Sequence, residues 1–156
     1  MDQNPFTPPP TDLWIGGAWR KPREGARFDV ADPASGEILA SVASADTEDA
    51  AAALDAAAAA FPGWAARKPR ERAEILRRAF ELMTRDAEAL ARLITRENGK
   101  ALPDSRAEVA YAAEFFRWYA EEAVRNLGTL AQAPASGARI LVQHRPAGIA
   151  VLVTPD

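Results

Sequence analysis

Apolar and polar positions change their spacing several times along the chain. Leu13-Trp14-Ile15 and Ala18-Trp19 are short apolar runs separated by Gly16-Gly17. Both glycines tolerate positive φ, so the segment predicts a hairpin with a two-residue turn. Phe28-Asp29-Val30 alternates as a strand does. Asp32-Pro33-Ala34-Ser35-Gly36 is turn chemistry, and alternation restarts over Ile38 to Val42. The first 43 residues thus read as one small antiparallel element. Ahead of it, residues 1–12 carry Pro5, Pro8, Pro9 and Pro10 and predict a flexible, non-helical tail.

The spacing then becomes helical. Asp46 or Thr47 suits an N-cap, with Glu48 and Asp49 in the opening turn. The helix continues through the alanine-rich stretch to Phe61, and Pro62-Gly63 is expected to end it. Pro69 opens a second helix whose apolar positions are Ile75, Ala79, Leu82 and Met83. Leu90, Leu93 and Ile94 extend it across a break near Asp86, and Asn98-Gly99 stops it. A further helix is predicted from about Pro103 to Leu127, ending at Gly128. Val109, Ala113, Phe116, Ala120, Ala123 and Leu127 line one side, and Glu121 faces Arg125 at i,i+4.

Residues 129–138 read as a loop. Arg139 to Arg145 is strand-like but alternates imperfectly, which suits an arm over 139–146 and not a central strand. Gly148 to Val153 is apolar without alternation, the pattern of a strand covered on both faces in a parallel α/β sheet. Such a strand needs neighbours, so the pattern predicts a chain cut off as a sheet begins.

Composition narrows the chemistry. The balance of 22 acids and 19 bases, net charge −3, argues against a general nucleic-acid binder. There is no cysteine in the 156 residues, so no disulfide, thiolate nucleophile or cysteine metal site can form. That usage suits a reducing compartment. No secretory signal and no apolar run of membrane-spanning length is visible, so a cytoplasmic, membrane-free protein is expected. A chain of this size can bury roughly 70% of its extended surface as one domain. No glycine-rich phosphate loop is present, and one histidine without cysteine offers no metal cluster.

Three features carry candidate chemistry. His144 lies in a strand-like segment with no evident partner for general base work, and reads as an ordinary strand residue. Arg67, Lys68, Arg70, Arg72, Arg77 and Arg78 form a basic segment interrupted by Glu71 and Glu74. It reads as a solvated face, with Glu74 placed to pair with Arg78 at i+4, and otherwise as a polyanion site. Tyr111, Phe115 and Trp118, at i, i+4 and i+7, make a second apolar stripe rotated from the first. That stripe suits either a helix buried between two layers or an aromatic wall for a substrate channel or subunit contact.

These pieces, in this order, resemble the aldehyde dehydrogenases. Leu13 to Trp19 is similar to the family's opening hairpin, and Asp32 to Glu37 to the turn that follows it. Glu97-Asn98-Gly99-Lys100, Glu108 to Tyr111 and Trp118 to Glu122 resemble the succinate-semialdehyde dehydrogenases most. Arg145 to Ala150, leading to Val153-Thr154-Pro155, resembles the approach to the cofactor site.

The resemblance implies an α/β fold: small antiparallel strands plus long helices, reaching the first strand of a Rossmann-like sheet. Residues 13–156 would form part of a cofactor-binding domain. The complete enzyme would be a homo-oligomer that oxidises an aldehyde with NAD or NADP through a cysteine thiolate and a glutamate base. Val153, Thr154 and Pro155 match positions that border the cofactor. Tyr111, Phe115 and Trp118 lie on the helix flanking the family's substrate entrance, and 139–146 matches part of an oligomerisation arm. In the family an aromatic residue and an asparagine follow Thr-Pro, whereas Asp156 follows here. The chain alone, without catalytic residues, is expected to be inactive and to bind no cofactor. The alternative is a standalone helical interaction module derived from the same beginning.

Overall fold

The computed structural model describes residues 9–153. Its elements run β1 (Leu13–Ile15), β2 (Ala18–Arg20), β3 (Arg27–Ala31), β4 (Ile38–Ala43), α1 (Thr47–Ala65), α2 (Pro69–Arg85), α3 (Ala87–Asn98), α4 (Leu102–Glu122), β5 (Thr129–Gln132) and β6 (Arg139–Val142). The strands form three separate two-stranded antiparallel sheets.

The expected single antiparallel element over the first 43 residues is therefore two hairpins. In the first, Gly16 and Gly17 take φ of +64° and +83°, and Trp14 pairs across the strands with Trp19. In the second, the Asp32 carboxylate accepts from Ala34 N at 2.8 Å and Gly36 N donates to Asp32 O at 2.7 Å, closing the turn. Most of the tail expected over 1–12 lies outside the described residues, which begin at Pro9. Thr11 and Asp12 are tied down: Ala43 N donates to Thr11 O, and Arg27 bonds to both residues.

A reciprocal capping box opens α1. The Asp46 side chain accepts from Asp49 N at 2.7 Å, and the Asp49 carboxylate accepts from Asp46 N at 3.3 Å. Against expectation, α1 continues through Pro62 and Gly63. Pro62 costs the helix one bond, the one its missing N–H would have given to Ala58 O, but Pro62 O still accepts from Ala66 N at 3.0 Å and the last turn forms. The break at Asp86 and the left-handed cap at Gly99 (φ +75°) stand as expected. The helix ending expected at Leu127 comes earlier, at Glu122. Leu127 is exposed, with no packing to hold another turn in place, and Arg125 N closes a turn on Glu122 O.

Small residues make the core. Ala73 of α2, Ala91 of α3 and Ser105, Val109, Ala113 and Ala120 of α4 are buried. α4 packs most extensively on α2 and next on α3. Small side chains let the helix backbones approach closely, and Thr95 and Ser105 share a hydrogen bond of 2.9 Å at the α3–α4 contact. Ile75, Phe116 and Leu127, expected in the core, are exposed instead.

The segment expected as a loop, 129–138, contributes a strand. β5 pairs with β6 in the register Thr129↔Val142, and the loop shrinks to the reach closed by Ala133 N to Ala138 O at 2.9 Å. Residues 148–153, expected as a doubly covered strand, have no ladder partner among the described residues and are exposed. The backbone needs a neighbouring strand to become one.

The chain exposes 12053 Å2. A compact monomer of its 16.8 kDa would expose roughly 7,700 Å2, and the fully extended chain about 24,000 Å2. About half the surface is buried, against the roughly 70% expected for a self-sufficient domain. The apolar faces that the sequence pattern predicts are real, but many lack cover.

Candidate functional site

α4 has two faces with different duties. One holds Ser105, Val109, Ala113 and Ala120 against α2 and α3. The other presents Tyr111, Phe115 and Trp118, which are 68%, 47% and 58% exposed. The structure thus brings the three sequence-selected aromatics together on one outward face and removes the reading in which they are buried between two layers of this chain. Tyr111 and Phe115 meet edge to face, ring centroids 4.9 Å apart and planes at 84°.

Sequence reasoning missed Tyr119. It lines the same shallow hollow as Tyr111, Phe115, Trp118 and Glu114. Its spacing of four from Phe115 was a usable signal. Glu114 is held by Arg117, whose guanidinium donates to it at 2.6 and 3.0 Å. Hydrogen bonding to Glu114 first, and its charge second, raises the Arg117 pKa above the ordinary value.

Tyr111 and Phe115 also border a second basin of about 700 Å3 toward the end of α3. Glu97, Lys100 and Glu108 supply its charged groups, and Lys100 is ion-paired with Glu108. The arrangement is an aromatic rim beside a charged basin. It can select a guest by shape and charge, and it holds no thiol, since the sequence has none.

The other candidates fall elsewhere. Val153 is 88% exposed in unpaired backbone instead of the strand end expected there, and Thr154 and Pro155 lie outside the described residues. His144 is exposed outside β6, which stops at Val142. In the basic segment, Glu74 pairs with Arg77 at 2.7 Å and not with Arg78, which instead reaches Glu81 at 3.5 Å. The i,i+3 rotamer wins because Arg77 then bridges Glu74 and Glu81 together. The expected Glu121–Arg125 pair is present at 3.3 Å. Among the described residues no group of three or more His, Cys, Asp or Glu is placed to hold a metal. None of the described helices is long and apolar enough to cross a membrane.

Comparison with known proteins agrees with this geometry. Residues 19–155 match the aldehyde dehydrogenase family. A succinate-semialdehyde dehydrogenase from Paenarthrobacter nicotinovorans is 54% identical over 118 residues, covering 76% of this chain and 26% of its own length. The human mitochondrial succinate-semialdehyde dehydrogenase is 41% identical over 145 residues, covering 93% of this chain and 27% of its own. Among solved structures, a succinate-semialdehyde dehydrogenase from Burkholderia pseudomallei superposes with a TM-score of 0.75 at 42% identity, over 81% of this chain and 26% of that one. The chain spans about a quarter of the length of the curated relatives it matches. By its fold, its sequence and the extent of the match, the chain belongs to the aldehyde dehydrogenase family.

Proposed function

We propose that this chain supplies the amino-terminal part of an NAD- or NADP-dependent dehydrogenase that oxidises an aldehyde, succinate semialdehyde foremost, to a carboxylic acid. The observation that carries the reading is the 54% identity to a succinate-semialdehyde dehydrogenase within a family match over 19–155. The names of related proteins from Saccharomyces cerevisiae and Escherichia coli specify NADP, and a betaine aldehyde dehydrogenase of similar fold is in complex with NAD+. In this reading residues 13–156 belong to the cofactor-binding domain, Tyr111, Phe115 and Trp118 line the aldehyde's entrance, and Val153, Thr154 and Pro155 border the cofactor.

The described residues do not by themselves fit a dinucleotide. Such a site gathers strand ends, a glycine-rich turn and a helix N-terminus, and around Val153 the backbone is unpaired and exposed. The chain's own part is therefore steric and apolar: it shapes an entrance. With no cysteine it supplies no thiolate, so acyl transfer to sulfur cannot occur on these 156 residues.

The test is aldehyde-dependent absorbance of NADH or NADPH with the purified chain and succinate semialdehyde, beside calorimetric titration of each cofactor. No turnover above a blank is expected, and weak cofactor binding or none. Turnover in protein free of host dehydrogenase would overturn the assignment of chemistry. The free-standing interaction module is supported by the same exposed apolar surface. It would gain from a stoichiometric complex with a full-length relative, shown by co-sedimentation of the two purified proteins.

A further inference from the structure

Where the C-terminal end of α1, the start of α2 and the stretch after β6 converge, a cleft of about 600 Å3 opens. That volume suits a small organic ligand. Arg67, Arg72, His144 and Arg145 line it, and Phe61 and Trp64 form an apolar wall. No aspartate or glutamate is among the described residues lining it. This sets it apart from the cleft between α2 and α4, where Glu74, Glu81 and Glu121 share the lining with the arginines, Arg77 pairing with Glu74 and Glu81 and Arg125 with Glu121.

One of the cations is also positioned. Arg72 donates to Arg67 O, which fixes one guanidinium at the floor of the α1–α2 turn. α2 begins at Pro69 within the same lining, so the positive end of a 17-residue helix adds to the field. Like charges gathered without a counter-charge repel one another, and a bound anion removes that repulsion. Guanidinium forks match phosphoryl oxygens in shape as well as charge.

We propose that this cleft binds a phosphoryl anion, with the guanidinium groups of Arg67, Arg72 and Arg145 on its oxygens. The phosphate is either bare or carried on a nucleoside, and in the second case the indole of Trp64 takes the base.

The probes are inorganic pyrophosphate and ADP, titrated calorimetrically into the 156-residue chain at low ionic strength. Saturable binding at one site with Kd below about 1 mM is expected, weakening as salt is raised. Arg145→Glu and Arg67→Glu should each weaken pyrophosphate binding by about tenfold or more, the effect of losing one charge-assisted contact. Arg96→Glu, on α3 outside the cleft, should leave it unchanged. Arg145→Gln serves if a charge reversal lowers the helical circular dichroism signal. ADP binding tighter than pyrophosphate, with the gain lost in Trp64→Ala, supports the nucleoside source; equal affinities support the bare anion. Absence of saturation, or equal weakening by Arg96→Glu, overturns the proposal.

Discussion

Pro33, at the tip of the turn between β3 and β4, sits directly on Gly99 at the end of α3. A Cβ placed on Gly99 would lie 2.8 Å from Pro33 Cγ, and Gly99 holds φ at +75°. Two demands thus meet at one residue: a left-handed cap and room for a proline ring. Gly99→Ala should destabilise the chain by more than the ~1–2 kcal/mol that a left-handed alanine alone costs. Pro33→Ala should return part of the loss in the double variant. Urea unfolding of the parent chain, both single variants and the double variant checks this, and strictly additive effects would show that the contact is unimportant.

Asp49 has two tasks as well. It completes the capping box with Asp46, and it accepts from Arg23 N at 3.2 Å, joining α1 to the segment after the first hairpin. It is buried. Asp49→Ala should cost about 1–2 kcal/mol, at the upper end for a cap, because two backbone donors lose their acceptor. Amide exchange should accelerate at both Arg23 and Asp46. Acceleration at Asp46 alone would mean that the Arg23 contact does not form in solution.

The two faces of α4 should respond in opposite ways. Trp118→Ala on the exposed face should move the unfolding free energy of this chain by less than about 0.5 kcal/mol. Ala113→Leu on the buried face should cost about 1–3 kcal/mol by overpacking the helix contacts. A chain in which Trp118→Ala is the more damaging would place the structural face of α4 on the wrong side.

Glu88 makes an acid-sensitive contact with Arg106. The hydrogen bond from Arg106 is the main cause that lowers its pKa, with smaller help from Arg92 and against a desolvation penalty. A carboxyl whose folded pKa is depressed stabilises the fold above its unfolded value. That stability is lost as pH falls from there through the folded value. Glu88→Gln should therefore lower stability slightly at neutral pH and flatten its decline below the ordinary glutamate range. Both ends of the pair are exposed, so the effect is small and shrinks with salt. Thermal melts across pH that trace the same acid limb for the parent chain and for the Glu88→Gln variant contradict the pairing.

Much of this fold was legible because the governing signals are local. The Gly16-Gly17 turn, the acid-rich start of α1, the stop at Gly99 and the aromatic spacing on α4 each depend on residues within a few positions. What the sequence hid depends on partners. Pro62 looks like a terminator until the turn closed beyond it, from Ala66 N to Pro62 O, shows that one lost bond does not end the helix. Thr129–Gln132 looks like a loop until β6 lies beside it. Ile149, Val151 and Leu152 have the composition of a covered strand, but composition supplies no neighbour, and they are exposed here. Tyr119, at i+8 from Tyr111, falls outside the i, i+4, i+7 spacing, and the hollow it shares with Phe115 and Trp118 places it on the same face.

The β5–β6 hairpin presents Leu130, Ile140, Leu141 and Val142 with none of them buried, and among the described residues each strand keeps an open edge. Such edges pair with other chains. Concentration-dependent self-association is expected by analytical ultracentrifugation, and Leu141→Lys should reduce it. A clean monomer at high concentration contradicts this.

If this chain does the work of the corresponding quarter of a succinate-semialdehyde dehydrogenase, it should be able to stand in for that quarter. The replacement puts residues 13–153 of this chain in place of the matching segment of the Escherichia coli relative, 40% identical over 141 residues. The quantity to measure is kcat/KM for succinate semialdehyde with NADP+. A folded chimera that keeps turnover, and in which Trp118→Ala raises KM, is the expected outcome. A folded chimera that binds NADP+ and oxidises no aldehyde would contradict it.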